Sequence, residues 1–407
     1  MGKKSRSGNN SSFPFPFPFQ GPGDARQWDE AAYRRSLLSE RRLAHRTIFR
    51  AAFAPSPLSL SSERHSLNLN LNPNDHLLQS SPSSPSPSLP DTLVTASSDG
   101  SVAAYSSSSS SSSSPLHFHQ LAIIQAHQGP VYDLQFSGDH SHSLLFSAGD
   151  DGHIRAWKWT NVLNCKQGHH INPILDIVNP QQEDPWGARS PIPETNAIAV
   201  HQQEGCIFSA AGDGCAYAWD LDTGKCKTVF RGHQDYLHSV AVCKLSNQIV
   251  TGSEDGTSRI WDCRSGKCTN VISPNKKYKS GESSWVSSVA VDPSESWLAC
   301  GSFGGLSVWS LVSNECIFNI EHPSPIQDVV FDNNQILSVG GEPVLSRHSI
   351  NGSLISQVKC APSSPFSVSL HSSGVVAVAG YGGPVDVISE YGSHLCTFSC
   401  IGFDDVA

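Results

Sequence analysis

Short hydrophobic runs broken by Asp-Gly pairs recur along this chain. Ser147 to Trp157 reads SAGDDGHIRAW, Ser209 to Trp219 reads SAAGDGCAYAW, and Thr251 to Trp261 reads TGSEDGTSRIW. In each copy the aspartate of the Asp-Gly pair stands six residues before the tryptophan. Two runs of apolar and β-branched residues around such a tight turn predict an antiparallel β-hairpin.

The hairpin pattern occurs seven times. Asp91 to Tyr105 is a first copy, and Ala299 to Trp309, Leu337 to Arg347 and Ala377 to Val387 are degraded copies that keep the glycines and the apolar alternation. The units are centred near residues 99, 151, 213, 255, 304, 341 and 382. Their closest spacing is about 40 residues, which is the period of a four-stranded propeller blade. The sequence therefore predicts an all-β fold, a seven-bladed β-propeller.

Composition divides the chain into four regions. Residues 1–23 hold a Phe-Pro alternation that cannot build a helix or a core, and we expect them to be disordered. Residues 24–46 are predicted to form a helix, which Asp24 caps. The propeller is assigned to 47–403, with low-complexity Ser-rich loops at 61–90 and 106–114, and 404–407 form a tail.

Charge and motifs exclude several functions. The chain has 27 Lys and Arg against 36 Asp and Glu, so its net charge of −9 disfavours direct binding of nucleic acid. No apolar run is long enough to cross a membrane, and the 12 cysteines lack CxxC spacing. No HExxH, GxSxG or P-loop motif is present. We expect a soluble, non-enzymatic protein with no catalytic, cofactor-binding or metal site.

Two stretches resemble the WD-repeat family: Arg231 to Asp262, and more weakly Ala126 to Phe136. The resemblance implies that each blade holds a buried, hydrogen-bonded tetrad of His, Asp, a strand Ser or Thr, and Trp. The predicted tetrad residues are His127, Asp151 and Trp157; Asp213 and Trp219, which lack a histidine; and His233, Ser253, Asp255 and Trp261, with Thr251 as the alternative hydroxyl.

Two segments are candidates for partner binding. The first is the predicted helix, with the residues Trp28, Tyr33, Arg34, Arg35, Leu38, Arg41 and Arg42. It either docks a partner or covers the propeller as a solvated charged face. The second resembles the DWD box of WD-repeat proteins that bind the damaged-DNA-binding adaptor of cullin-RING ubiquitin ligases. Its residues are Ile249, Val250, Thr251, Gly252, Ser253, Asp255, Ile260, Trp261, Asp262 and Arg264. Arg264 distinguishes this repeat from the others, and the alternative is an exposed arginine without a partner.

Several segments outside the repeats resemble the plant THO complex subunit 6 family. They include Tyr33 to Pro55, Asn179 to Val200 and Gly374 to Phe398. The resemblance implies a nuclear subunit of the THO complex in the mRNA-export machinery, with other THO subunits as partners and RNA contacted mainly by those subunits. It also implies an alternative or additional function as a ligase substrate receptor that restrains abscisic-acid signalling, with the cytoplasm as a further location.

Overall fold

The computed structural model describes residues 46–55, 92–108, 116–138, 143–165, 171–183, 186–187, 189–274, 285–400 and 402. The chain divides into two units, Met1–Arg42 and Leu43–Ala407, and every described residue belongs to the second. The predicted disordered leader, the loop at 61–90 and the tail lie outside the described residues. So does the predicted helix apart from Arg46, which is not helical.

The described residues form seven four-stranded antiparallel sheets, each made of four consecutive strands. This confirms the prediction of seven blades. Blades 1 to 3 are β1 (Ile48–Phe53), β2 (Thr92–Ser97), β3 (Ser101–Ser108), β4 (His117–Gln125); β5 (Val131–Ser137), β6 (Leu144–Gly149), β7 (His153–Lys158), β8 (Leu175–Val178); and β9 (Thr195–His201), β10 (Cys206–Ala211), β11 (Ala216–Asp220), β12 (Cys226–Phe230). Blades 4 and 5 are β13 (Leu237–Cys243), β14 (Gln248–Ser253), β15 (Ser258–Asp262), β16 (Cys268–Ile272); and β17 (Val286–Val291), β18 (Trp297–Ser302), β19 (Gly305–Ser310), β20 (Cys316–Glu321). Blades 6 and 7 are β21 (Ile326–Asp332), β22 (Gln335–Gly340), β23 (Val344–Ser349), β24 (Leu354–Lys359); and β25 (Pro365–Leu370), β26 (Val376–Gly380), β27 (Pro384–Ile388), β28 (His394–Ser399).

The first strands of the blades contact one another in sequence from β1 to β25, and β25 contacts β1 again. They therefore form a closed ring of inner strands around a central channel. Because successive strands of a blade are antiparallel, the turns between second and third strands lie on the same face as the connections between blades, here called the upper face. The turns between first and second and between third and fourth strands lie on the opposite, lower face. The Asp-Gly turns are on the upper face, where Gly152 and Gly256 take positive φ values of 74° and 79°.

Every inner strand carries a register shift at its second residue. A β-bulge of this kind leaves one extra residue unpaired and re-aims its side chain. The seven bulged residues come from seven blades at the same level and form what we call the channel ring: Phe49, Tyr132, Asn196, His238, Ser287, Gln327 and Phe366.

The core lies between neighbouring blades. One cluster joins Phe208 and Phe230 of blade 3 to Leu237, Ile249 and Trp261 of blade 4. A corresponding cluster joins blade 7 to blade 1 and thereby closes the ring.

Arg46 adds polar contacts at this closure. Its side chain is 6% exposed, donates to the carbonyl of Cys400 at 2.9 Å, and lies 3.3 Å from the carboxylate of Asp99.

Two elements differ from the sequence prediction. Strand β3 continues through Ser108 and pairs with β4, so Ser106 to Ser108 are not part of a loop. The polar serines extend the strand because their backbone groups find partners there. A short helix, α1 (Trp159–Leu163), follows β7, and the repeat pattern did not predict it. Its Trp159 and Val162 are buried against blade 1.

Two further findings concern the described residues as a whole. None of their helices has the length and apolarity that a membrane span requires. All 12 cysteines are free, and Cys215, Cys243 and Cys300 are buried. Burial raises the pKa of the Cys243 and Cys300 thiols to about 12.

Candidate interaction surfaces and the blade tetrads

The tetrad of blade 4 is a continuous chain of hydrogen bonds. Nε1 of Trp261 donates to Oγ1 of Thr251 at 2.9 Å, and Thr251 lies 2.8 Å from Nε2 of His233. Nδ1 of His233 donates to Oδ2 of Asp255 at 2.8 Å. Because an ionised carboxylate only accepts, Nδ1 carries a proton, and in that tautomer the Thr251 hydroxyl donates to Nε2. Each polar group of the blade 4 tetrad thereby has a hydrogen-bond partner.

Thr251, and not Ser253, supplies the tetrad hydroxyl. The assignment of Ser253 was wrong because that residue stands where β14 ends and the turn begins. Its hydroxyl donates to the carbonyl of Asp235 and accepts from the backbone N–H of Asp255. Ser147 in blade 2 and Ser209 in blade 3 stand, like Thr251, ten residues before their tryptophan. A comparison of the three repeats at this position carries the signal that identifies the correct hydroxyl.

The charge of Asp255 depends on its partners. Burial alone raises the pKa of this carboxyl, but the hydrogen bonds from His233 and Thr257 outweigh burial and leave the pKa below its usual range. Oδ1 also accepts from the backbone N–H of Thr257 at 2.9 Å. The carboxylate therefore ties the upper-face turn to the blade interior.

Blade 2 has an incomplete tetrad. His127 lies 2.7 Å from Asp151 through Nδ1 and 2.6 Å from Ser147 through Nε2. Nε1 of Trp157 is buried and makes no hydrogen bond to any described residue. Arg155 donates to Oδ2 of Asp151 at 2.9 Å, a contact separate from the Trp157 indole. Burial raises the pKa of Asp151, yet His127 and Arg155 hold it below its usual range.

Blade 3 replaces the histidine with a tyrosine. Nε1 of Trp219 donates to Ser209 at 2.9 Å, as in a complete tetrad. The hydroxyl of Tyr217 donates to Oδ2 of Asp213 at 2.5 Å. In the part of the chain that the structure describes, Asp213 is bonded by Tyr217, which the sequence analysis did not select.

The ten box residues of blade 4 do not form one surface. Seven of them are buried in the blade: Ile249, Val250, Thr251, Gly252, Ser253, Ile260 and Trp261. Asp255 is half-buried on the upper face, whereas Asp262 is the last residue of β15 and Arg264 lies in the lower-face turn that follows. Asp262 accepts from the backbone N–H groups of Arg264 and Ser265, which holds this turn. Arg264 is exposed, so it is the box residue that a partner can reach.

Two exposed apolar side chains share the lower face with Arg264. Leu245 is 77% exposed in the first turn of blade 4, and Val312 is 84% exposed in the last turn of blade 5. Glu295 joins these blades, because its carboxylate accepts from the backbone N–H groups of Leu245 and Ser246 at 2.6 and 2.9 Å. Arg264, Leu245 and Val312 are together called the lower patch.

Three charged residues inside the channel were missed in the sequence analysis. Arg50 of blade 1 lies 3.2 Å from Asp133 of blade 2 through Nε and 2.7 Å from Asp328 of blade 6 through Nη1. Each aspartate also accepts a backbone N–H from the following blade, from Ile198 and Val368 respectively. Each of the three follows a bulged residue on an inner strand. A charged residue inside an otherwise apolar strand is the sequence signal that could have revealed them.

These contacts among the described residues are not accompanied by a cluster of metal-binding side chains. Across the described ranges, no group of three His, Cys, Asp or Glu side chains is arranged to hold a metal ion. The side chains that were predicted to form the docking helix, Trp28 to Arg42, lie outside those ranges. The described residues therefore present upper-face, lower-face and channel surfaces on a closed ring of blades.

Comparison with known proteins agrees with the fold. The family model described as "WD domain, G-beta repeat" matches residues 118–158, 224–262 and 272–310. The crystal structure of the WD40 beta propeller domain of Doa1 has a TM-score of 0.57 and 18% identity, and the match covers 73% of this chain and 88% of that one. The tetrads, the seven sheets and these matches define a WD40-repeat β-propeller.

Two relatives narrow the class to a family. The chain is 47% identical to THO complex subunit 6 of Arabidopsis thaliana over 92% of its own length and 98% of the relative's. It is 31% identical to THO complex subunit 6 of Homo sapiens, a match covering 68% of this chain and 79% of the relative. The chain therefore belongs to the THO complex subunit 6 family.

Proposed function

We propose that this chain is a non-catalytic scaffold subunit of a nuclear THO complex that takes part in mRNA processing and export. The observation that carries this proposal is the 47% sequence identity to THO complex subunit 6 of Arabidopsis thaliana, which covers 92% of the chain. The hydrogen bonds of the blade 4 tetrad support it, because they engage His233, Asp255 and Trp261 with groups of the same blade. The net charge of −9 favours protein partners over direct contact with RNA.

Purification of the tagged full-length chain from ribonuclease-treated nuclei, followed by mass spectrometry, tests the proposal. We expect the other THO subunits to co-purify, because contacts between protein surfaces survive the removal of RNA. A tagged WD40 propeller from outside the family serves as control. Recovery of the chain without THO subunits would contradict the proposal.

A second candidate function is that of a substrate receptor of a cullin-RING ubiquitin ligase, which restrains abscisic-acid signalling. The observation that favours it is the lower patch, where the exposed Arg264 shares the lower face with two exposed apolar side chains. Arginine is among the residue types that most often dominate binding at protein interfaces.

The variant Arg264→Ala tests this function. An exposed truncation changes the free energy of unfolding by only about 0.5 kcal/mol. Loss of a charge-assisted contact in a desolvated interface costs about 2 kcal/mol or more, so recovery of the ligase adaptor should fall strongly while THO subunits still co-purify. Lys267→Ala, in the same turn, is the matched control. Equal recovery of the adaptor by wild type and Arg264→Ala, or no recovery by either, would rule out the receptor function through this box.

A further inference from the structure

The upper mouth of the channel has an aromatic wall. Phe366, Phe49 and Tyr132 are the bulged residues of blades 7, 1 and 2, which are neighbours in the ring. The ring centroid of Phe49 is 5.1 Å from that of Tyr132, at 75°, and 5.9 Å from that of Phe366. All three side chains are only half-buried. Three consecutive blades thus present partly uncovered aromatic surface to the channel.

A second aromatic group stands on the opposite side, on blades 4 and 5. Tyr236 is 43% exposed immediately before β13, and Trp285 stands immediately before β17. Trp285 packs edge-on against Phe303, at 5.2 Å between centroids and 60°, and Phe303 is 39% exposed. Large rings that remain exposed on both sides of one opening need explanation, because burial would stabilise each by about 1.5 kcal/mol or more.

Carboxylates stand between the two aromatic groups. Glu194 and Glu254 both line the mouth. Nε2 of His238 donates to Oε1 of Glu254 at 2.9 Å, which fixes one edge of the opening. Burial, the hydrogen bond to Asp150 and the nearby charge of Glu194 together raise the pKa of the Tyr132 hydroxyl, so this group stays neutral.

Among the described residues at the mouth, His238 is the basic side chain that faces these groups, through its contact with Glu254. None of the described residues lining the mouth is a lysine or an arginine, a count that leaves out 275–284. Deeper in the channel Arg50 is already held between Asp133 and Asp328. The volume of the mouth is about 520 Å³, within the range of ligand sites.

We propose that the upper mouth of the channel binds an arginine side chain carried by an extended segment of a partner protein. Aromatic faces attract a guanidinium through their quadrupole, and a carboxylate pairs with it in bidentate geometry. An arginine meets both groups at once, because its planar head stacks on a ring while its N–H groups face the acids. Carboxylates at the same opening repel RNA phosphates, which favours a peptide as the ligand. This binding site is not part of the proposed THO function, and the observations that support it do not depend on that function.

Fluorescence anisotropy with two labelled peptides tests the site on the full-length chain. The probes are Gly-Ser-Gly-Arg-Gly-Ser-Gly and the same peptide with citrulline, which keeps the shape and removes the charge. We expect saturable binding of the arginine peptide and at least about tenfold weaker binding of the citrulline peptide, since tenfold corresponds to about 1.4 kcal/mol. Phe49→Leu keeps apolar volume but removes an aromatic face, and it should weaken binding about threefold or more.

Two matched double variants separate this site from general attraction to an acidic protein. Glu194→Gln with Glu254→Gln removes the mouth carboxylates, and binding should weaken about tenfold. Glu204→Gln with Glu315→Gln removes the same charge from exposed lower-face turns and should leave binding unchanged. The proposal is overturned by any of four results: equal loss in both double variants, equal binding of the citrulline peptide, no saturation of the arginine peptide by about 1 mM, or preferential binding of single-stranded oligouridine that Phe49→Leu abolishes.

Discussion

At the scale of single residues, blade 4 shows how one hydroxyl organises a buried network. Thr251 accepts from the indole of Trp261 and donates to His233, so it satisfies two rings at once. Trp261 is 1% exposed, and its ring packs 5.9 Å from those of both His233 and Phe230. The hydrogen bonds and the apolar packing therefore both hold the side chain of Trp261 in place.

Replacement of the threonine isolates the polar part. Thr251→Val preserves shape but leaves the Trp261 N–H and His233 Nε2 without partners, and we expect the free energy of unfolding to fall by about 1–3 kcal/mol. Ser253→Ala removes only turn contacts and should cost about 1 kcal/mol or less. Trp261→Ala removes the ring itself and should cost about 3–5 kcal/mol. Thermal and urea unfolding measure all three, and an equal effect of the Thr251 and Ser253 variants would contradict the assignment.

The lowered pKa of Asp255 makes stability depend on pH. Because the folded state holds this carboxyl ionised, it binds fewer protons than the unfolded chain does. The contribution is complete above the unfolded pKa of about 3.9 and is lost as the pH falls below it. We expect the wild-type melting temperature to fall more steeply between about pH 4 and pH 2 than that of Asp255→Asn. Asp222→Asn, in an exposed lower-face turn, is the control and should keep the wild-type slope.

Sequence spacing predicts part of each tetrad, and packing decides the rest. His233, Asp255 and Trp261 follow from their distances along the chain. Ser253 and Thr251 are two residues apart on one strand, so both fit a single repeat. The register of β14 against β15, in which Thr251 lies opposite Arg259, distinguishes them in the structure, and the comparison with Ser147 and Ser209 distinguishes them in the sequence. Spacing does not predict Tyr217. In blades 2 and 4 the tetrad histidine precedes the first strand of the blade, whereas Tyr217 lies on β11, the third strand of blade 3.

At the scale of strands, the inner strands combine a predictable and an unpredictable property. The hairpin centres follow from glycine and apolar periodicity, and all seven agree with turns in the structure. None of the seven bulged residues is a glycine. They share no residue type, since they include side chains as different as those of Phe49 and Ser287. The bulges arise because each inner strand must face both the next blade and the channel. The channel ring and the Arg50 pairs were missed for that reason.

The contacts of Arg50 predict a cost for its removal. Arg50→Met leaves Asp133 and Asp328 with no cation between them, and the loss of one partner from a buried ion pair costs about 3 kcal/mol or more. Asp133→Asn and Asp328→Asn, combined with Arg50→Met, remove the stranded charges and should restore most of the melting temperature. If Arg50→Met melts like wild type, the ion pairs do not stabilise the ring.

At the scale of the whole molecule, the ring of blades closes through contacts between its first and last blades. Each blade is complete in consecutive strands, so the ring closes through side contacts between blades 7 and 1 and through Arg46. The packed core clusters of the described residues all fall within the unit Leu43–Ala407.

A chain that begins at Leu43 separates folding from assembly. It retains Arg46 and the core clusters formed by the described residues, so we expect its melting temperature to stay within about 2 °C of the full-length value. We expect it to lose the other THO subunits in purification from nuclei, because Arg34, Arg35, Arg41 and Arg42 are proposed to dock them. The full-length chain with these four arginines changed to glutamine should fail in the same way, which excludes an effect of truncation alone. Assembly that persists in both chains would assign THO binding to the propeller surfaces and reduce the N-terminal segment to a cover.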